Sequence, residues 1–243
     1  MALIPIHFER IERFWFVPFQ RARISKGVNS GYEWPHSNFD WLKDNLNKRL
    51  RKRQLDRCCY CRRALKYDRG LVELDHIIDK GAQKGIPRFT FEAKNLALSC
   101  KDCNNNKGTK SVLARPLLAN TPYPTQQNAY VWVHPHFHKY SEHILIHQGW
   151  VYEAHNGSPN GLAVITKCML NKLAKKETLN RQVIVDGATD LNDAIARALG
   201  LVSEVGLDKL CHELGGYLSE KWKTATPTQI QNEIRRAYNN IKI

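Results

Sequence analysis

The chain of 243 residues carries 37 Lys+Arg against 23 Asp+Glu, a formal net charge of +14 and a pI near 9.5, a balance that favours a polyanionic partner. With 42% hydrophobic and 25% charged residues the composition is globular, which excludes a disordered basic tail, and the length suits one domain with appendages or two small ones. No apolar run approaches the roughly 18–20 residues that span a bilayer, and Glu9, Arg10, Glu12 and Arg13 interrupt the amino terminus where a signal peptide needs an apolar stretch, so the expected setting is the cytoplasm with no membrane partner.

In chain order, residues 1–35 are rich in aromatics and broken by Pro5, Pro18 and Pro35, the pattern of a segment wrapped onto a core. From Phe39 to Asp56 the apolar residues Trp41, Leu42, Leu46, Leu50 and Leu55 recur at helical spacing among Lys and Arg, which predicts a basic helix. Leu71–Ile78 reads as a strand, followed by a loop at Gly81, Gly85 and Pro87 and a short return strand at Phe89–Phe91. AYVWVHP, HILIHQ and WVYEA, between Ala129 and Tyr152, predict strands or a hairpin with Gly149 at the turn; a helix near Thr166–Arg181 follows. The last third reads helical: Asp190–Leu199, then a stripe of Leu207, Leu210, Leu214 and Leu218, then a helix opened by Thr226-Pro227-Thr228-Gln229 as a capping box. The expected class is α+β, divided as 1–57 (aromatic segment and basic helix), 58–110 (a compact core), 111–186 (a β-rich and helical extension) and 187–243 (a helical end).

Seven cysteines, an odd count grouped mainly as two close pairs, argue for a thiolate metal site over a disulfide framework. Cys58 and Cys61, then Cys100 and Cys103, each have the C-x2-C spacing that lets two sulfurs of one knuckle reach a single tetrahedral ion. Zn²⁺ is the natural occupant, and a closed four-thiolate shell makes it structural. Cys59 could replace Cys58 in a distorted knuckle; Cys168 and Cys211 read as buried thiols. The pairs are farther apart than in a simple zinc ribbon: the second begins 39 positions after Cys61. Inside that interval lie Leu74-Asp75-His76-Ile77-Ile78 and Asn95-Leu96, and directly after it Asn104 and Lys107.

At these residues the chain resembles the HNH endonucleases, also called ββα-metal or His-Me finger nucleases, in their zinc-stapled subgroup. The likeness covers about 50 residues and runs through CxYC at 58–61, DHII at 75–78, NLAL at 95–98 and CKDCNNNK at 100–107. It implies a ββα-metal finger in which His76 is the general base, Asp75 and Asn104 hold a catalytic Mg²⁺ or Mn²⁺, and Asn95 orients the loop that carries His76. Asp79 stands where the family commonly has proline. The residue chemistry agrees: a neutral imidazole can take a proton from water at cytosolic pH, and Asp and Asn offer the hard oxygen ligands such cations prefer. Side chains alternate along a strand, so Asp75 and His76 can share one site only if the strand ends or bends there.

Residues 36–110 carry +9 of the net charge, and eight cations face one acid between Lys48 and Arg63. Lys48, Arg49, Arg51, Lys52, Arg53, Arg57, Arg62 and Arg63, with Arg88 and Lys107, are therefore the candidate contacts to a nucleic-acid backbone. His134, His136 and His138 alternate around Pro135 with no Cys or clear carboxylate to complete a shell, which favours a structural or groove-lining role over a second metal site. Residues 130–181 more loosely resemble the segment after the finger in HNH proteins of bacterial anti-phage operons, the Septu-type nuclease subunits among them. That likeness implies an ATPase partner, for which the stripe Ile230, Ile234, Tyr238 and Ile241 is either a docking surface or ordinary core, core being the better reading. The expected function is metal-dependent cleavage of DNA in phage defence or restriction; the alternatives are an RNA-cleaving HNH nuclease and a non-catalytic zinc-ribbon module that binds nucleic acid.

Overall fold

The computed structural model describes residues 3–68, 70–81, 83, 85–172, 182, 188–223 and 225–241. The fold is α+β: among the described residues, helices accompany two separate two-stranded antiparallel sheets. No described helix is long and apolar enough to cross a membrane. Two compact units form, one of residues 5–145 and 153–170, the other of residues 1–4, 146–152 and 171–243.

In the larger unit the aromatic lead segment buries Phe8, Ile11, Phe14 and Phe16. It also contains a helix that its pattern does not announce, α1 (Pro18–Asn29): Pro18 is pre-set for the first turn, but only Ile24 is buried, so no apolar stripe marks it. The basic helix is α2 (Asp40–Arg53), anchored by Leu42, Leu46 and Leu50, each fully buried. Leu55, expected on that stripe, lies beyond the helix end with φ +50° and its side chain exposed. The next fixed point is Gln54, whose Nε2 donates to the carbonyls of Arg57 and Leu98 while its Oε1 accepts from Leu98 N–H at 2.8 Å.

Strand β1 (Val72–His76) pairs antiparallel with β2 (Leu96–Cys100), Asp75 opposite Ala97 and His76 opposite Leu96. Helix α3 (Lys101–Lys107) follows β2 without a loop and packs on both strands. The return strand is therefore Leu96–Cys100, not Phe89–Phe91. Pro87 fixes a 3-10 turn over Pro87–Phe89, and the chain turns again at Ala93–Asn95 before entering β2.

The AYVWVHP segment is not a strand either. It makes one bridge, Tyr130 to Leu113, and then coils, with the amides of Phe137 and His138 both donating to the His134 carbonyl. Pro135 has no N–H to offer a ladder. The expected hairpin does form from β3 (Ile144–His147) and β4 (Val151–Ala154), with Gly149 at φ +74° in the turn where a side chain would be strained. Helix α4 (Pro159–Lys167) opens with Ser158 capping Gly161 N–H, earlier than the expected Thr166–Arg181, most of which lies outside the described residues.

The smaller unit contains α5 (Leu191–Leu199), α6 (Val202–Val205), α7 (Leu207–Trp222) and α8 (Pro227–Ile241). Asp190 caps α5, and Thr226 and Gln229 form the reciprocal capping box of α8 at 2.8 and 3.3 Å. Helices α7 and α8 meet closely at Gly215, where a Cβ would lie 2.6 Å from Cγ of Gln231. Leu210, Leu214, Leu218, Ile230 and Ile234 are buried in one core. Ile230 and Ile234 are thus committed to packing and offer no open docking stripe.

The coil at 134–138 ties three imidazoles into the interior of the larger unit. His134 Nδ1 accepts from His136 N–H, His138 Nδ1 accepts from His134 N–H, and His136 Nε2 donates to the Leu96 carbonyl. Burial pushes all three down, His136 and His138 to about 4. The unfolded chain, with histidines near the ordinary 6.5, takes up protons first. This contribution to stability is complete above about pH 6.5 and is lost as the pH falls toward 4. Urea midpoints should therefore decline across that window, with a shallower slope in His138→Gln; a flat wild-type profile would contradict the assignment.

Candidate metal centre and active site

The first cysteine knuckle is a tight turn: Arg57 bridges Ala64, Cys58 N–H bonds the Arg63 carbonyl, and Arg62 adopts φ +60°. The second lies at the joint between strand and helix, Cys100 ending β2 and capping α3, and Cys103 sitting in the first turn of α3. The ligand atoms of Cys58, Cys61, Cys100 and Cys103 all lie within 4.8 Å of one another. Cys61 and Cys100 Sγ are 3.9 Å apart, against about 3.8 Å for two sulfurs bound tetrahedrally at Zn–S distances of roughly 2.3 Å. Backbone amides of Tyr60 and Cys100 donate to Cys58 Sγ at 3.4 and 3.3 Å, a setting that favours thiolate. The four cysteines fit a zinc ion. Cys59 is outside the group: its amide bonds the Leu98 carbonyl and burial pushes its thiol well up. Cys168, distant in sequence, is fully buried and interacts with Cys103.

Beside this centre an open cleft of about 450 Å³ is lined by Asp75, His76, Asn104 and Lys107, together with Asp79 and Lys80. Strand β1 ends at His76 and the chain bends at Ile77–Ile78, which lets two successive side chains border one space. Each is held by distinct partners. Asp75 accepts from the Tyr60 hydroxyl at Oδ2 and from Lys107 Nζ at Oδ1, 2.9 Å away. Lys107, only 2% exposed, also donates to the His76 carbonyl at 2.8 Å. Burial raises the Asp75 carboxyl, and Lys107 and Tyr60 oppose that rise.

His76 Nε2 lies 3.0 Å from the Thr90 carbonyl. A carbonyl only accepts, so the ring proton is on Nε2 and the lone pair on Nδ1. Burial, then the charge of Lys80, lowers this imidazole to about 3, which keeps it neutral. The rings of Trp34 and His76 make a T-shaped pair with centroids 4.7 Å apart.

Asn95 is fully buried behind the bend. Its Oδ1 accepts from Ile78 N–H at 2.7 Å, and its Nδ2 donates to the carbonyls of Ile78 and Phe89. The Tyr123 hydroxyl adds a bond to Asn95 Oδ1 at 3.2 Å and lies 2.8 Å from His134 Nε2, so the histidine coil supports this loop through one tyrosine. Asn104 faces the cleft from α3, its amide donating to the Glu73 carboxylate.

The candidate nucleic-acid contacts are not all at the surface. Arg62 is 1% exposed; its guanidinium lies 3.7 Å from the Phe8 ring centroid and 4.0 Å from that of Tyr140, and it donates to the Cys59 carbonyl at 2.5 Å. Arg51 reaches Asn47, Asp56 and the Lys66 carbonyl, and Arg88 bonds the carbonyls of Leu118 and Thr121. Arg49 and Arg53, half-buried, stack over Phe14, and half-buried Arg57 donates to the Arg62 carbonyl. Arg63 is half-buried, while Lys48 and Lys52, one turn apart on α2, are exposed. Tyr60, Glu73, Lys80 and Tyr123 are not among the site residues expected from the sequence. Tyr60, placed inside the first C-x2-C, was the most visible of them.

A part of the chain has a named relative. Over 86 residues, 35% of its length, the chain is 28% identical to the Septu protein PtuB of Bacillus thuringiensis. The match spans 32% of that relative. No family model matches, and no solved structure does.

By donor type, Asp75 and Asn104 are the residues of the cleft that could hold a hard divalent cation. Asp75 and Asn104 supply carboxylate and amide oxygens, and each Asp75 oxygen keeps a second lone pair beyond its present bond. Two outcomes follow for the purified protein. Elemental analysis should find one zinc per chain, lost together with cooperative unfolding in Cys103→Ser; full zinc retention would refute the cluster. Arg62→Leu should cost about 2–4 kcal/mol in urea titrations through the carbonyls it leaves unpaired, whereas Lys48→Ala should be nearly neutral.

Proposed function

We propose that the chain is a metal-dependent HNH endonuclease of the ββα-metal, zinc-stapled kind, which hydrolyses phosphodiester bonds in DNA. The observation that carries the reading is the single cleft bordered by Asp75, His76 and Asn104, with the imidazole proton fixed on Nε2 by Thr90. The strand–strand–helix order of β1, β2 and α3 beside the tetrathiolate group supports it.

In this reading Nδ1 of His76 takes the proton of the attacking water. Burial and then Lys80 depress that base, and a phosphodiester entering the cleft offsets the part due to Lys80. Asn95 keeps the bend after His76 in place, and Trp34 limits water access to one side of the ring. Asp75 and Asn104 hold the Mg²⁺ or Mn²⁺. When bound, that cation supplies charge stabilisation for the departing 3′ oxygen. Zinc stays structural, because its four positions are filled by sulfur.

Lys48 and Lys52 track the backbone from the exposed side of α2. The similarity to a Septu protein supports a role in anti-phage defence beside an ATPase subunit. Residues 187–243, whose net charge is zero, would meet that subunit through their outer surface.

With Mg²⁺ and plasmid DNA, supplied with the ATPase subunit, His76→Ala should lose at least 100-fold in cleavage rate while retaining zinc; equal cleavage by variant and wild type would end the catalytic assignment. Cleavage of RNA in place of DNA would reassign the substrate. Lys48→Ala and Lys52→Ala should each weaken DNA binding without base preference and reduce the salt slope by about 1. An unchanged slope would remove α2 from the interface.

A further inference from the structure

We infer that Glu73 is a positioning residue that aims the amide oxygen of Asn104 into the cleft. The inference rests on the reading of Asn104 as a ligand of the divalent cation.

Its basis is the match between a strand and a helix. Glu73 and Asp75 are two apart on β1 and share one face of the pleat, while Asn104 and Lys107 are three apart on α3 and share one side of that helix. The two faces meet as two rungs, Glu73 with Asn104 and Asp75 with Lys107. The second rung is a buried ion pair at 2.9 Å that fixes how α3 sits on β1. The first sets which way one amide points.

In that first rung Asn104 Nδ2 donates to Glu73 Oε2. An ionised carboxylate has lone pairs and no proton, so only the NH₂ end of the amide can face it; the flipped amide would oppose oxygen to oxygen. The amide oxygen must then point away from Glu73. Asn104 borders the cleft and Glu73 does not, so the carboxylate stands behind the amide and the oxygen is directed forward, to where Asp75 also presents its carboxylate. An asparagine has no intrinsic preference between its two ends, and Glu73 supplies one. Outer partners of this kind change metal affinity by roughly 10–100-fold when removed.

Two substitutions separate this role from simpler ones. Glu73→Asp keeps the charge but withdraws the carboxylate by one methylene, out of reach of the amide. Glu73→Gln keeps the length but offers either a donor or an acceptor. The measurement is Mn²⁺ half-saturation of the full-length, zinc-loaded protein, read from the electron paramagnetic resonance of the free ion. Asn104→Ala serves as control, and thermal melts report the folded fraction.

Both Glu73 variants should raise the half-saturation about 10-fold or more, and Asn104→Ala should abolish the site. The side-chain ¹⁵N–¹H pair of Asn104, assigned by its loss in Asn104→Ala, should shift in Glu73→Asp before any Mn²⁺ is added. Wild-type Mn²⁺ affinity in Glu73→Asp with weakening in Glu73→Gln would reduce Glu73 to a through-space charge and overturn the inference. An unmoved amide signal would overturn it as well, as would an Mn²⁺ loss that only follows the unfolded fraction. If Asn104→Ala binds Mn²⁺ normally, the ligand reading of Asn104 fails and the inference falls with it.

Discussion

Everything near the cleft depends on four sulfurs meeting within 4.8 Å across a gap of 39 positions. Closing a long loop costs conformational entropy, and a metal ion held by thiolates is among the few local interactions strong enough to offset it in so small a unit. The closure also fixes position along the chain. Cys100 is at once the last residue of β2 and the cap of α3, so the staple determines where the strand stops and the helix starts. Asn104 and Lys107 then fall on the side of α3 that faces β1, and Tyr60, inside the other knuckle, bonds the other oxygen of Asp75. The carboxylate is thus gripped by one residue from each half of the staple.

A strand–strand–helix unit of about 50 residues buries too little apolar surface to hold its loops alone. The remainder of the larger unit compensates by hydrogen bonding as much as by packing. From His134 through Tyr123 to Asn95 and on to both backbone groups of Ile78, each step is a buried polar contact, and the series ends two residues past His76. Gln54 does the same from the other direction, pairing with Leu98 as a strand edge would. Such networks raise specificity when fully satisfied, since each unpaired member would carry a desolvation cost. The bend that follows His76 is held at a defined place by residues as far along the chain as His134.

What was legible in the residues were features with a fixed spacing: the two C-x2-C pairs, the apolar stripe of α2, the capping box of α8, the glycine turn of the hairpin. The α+β class followed from them. What escaped depended on contacts between distant segments. Phe89–Phe91 has strand composition, but Pro87 and the turn at Ala93–Asn95 commit that stretch to the path into β2. AYVWVHP alternates well, yet its His134 and the following His136 and His138 bond one another's backbone and coil the chain. Near the site, Glu73 was invisible as a partner because no local pattern says which side chain will bond Asn104. The basic run was the hardest to read, since composition counts a cation alike whether water or carbonyl oxygens surround it.

Arg62 makes that last difference permanent. Its planar guanidinium fits between two aromatic rings and still reaches backbone carbonyls on both sides. Lysine, a single ammonium on a flexible stem, can neither stack as a plane nor divide its donors in that geometry. Over evolutionary drift, the exposed lysines of α2 can exchange with arginine or move to a neighbouring turn while the protein keeps its electrostatic character. Position 62 has no such freedom. A lineage that rewrote its basic face would be expected to keep one arginine there, as a fossil of the fold amid turnover in its charge.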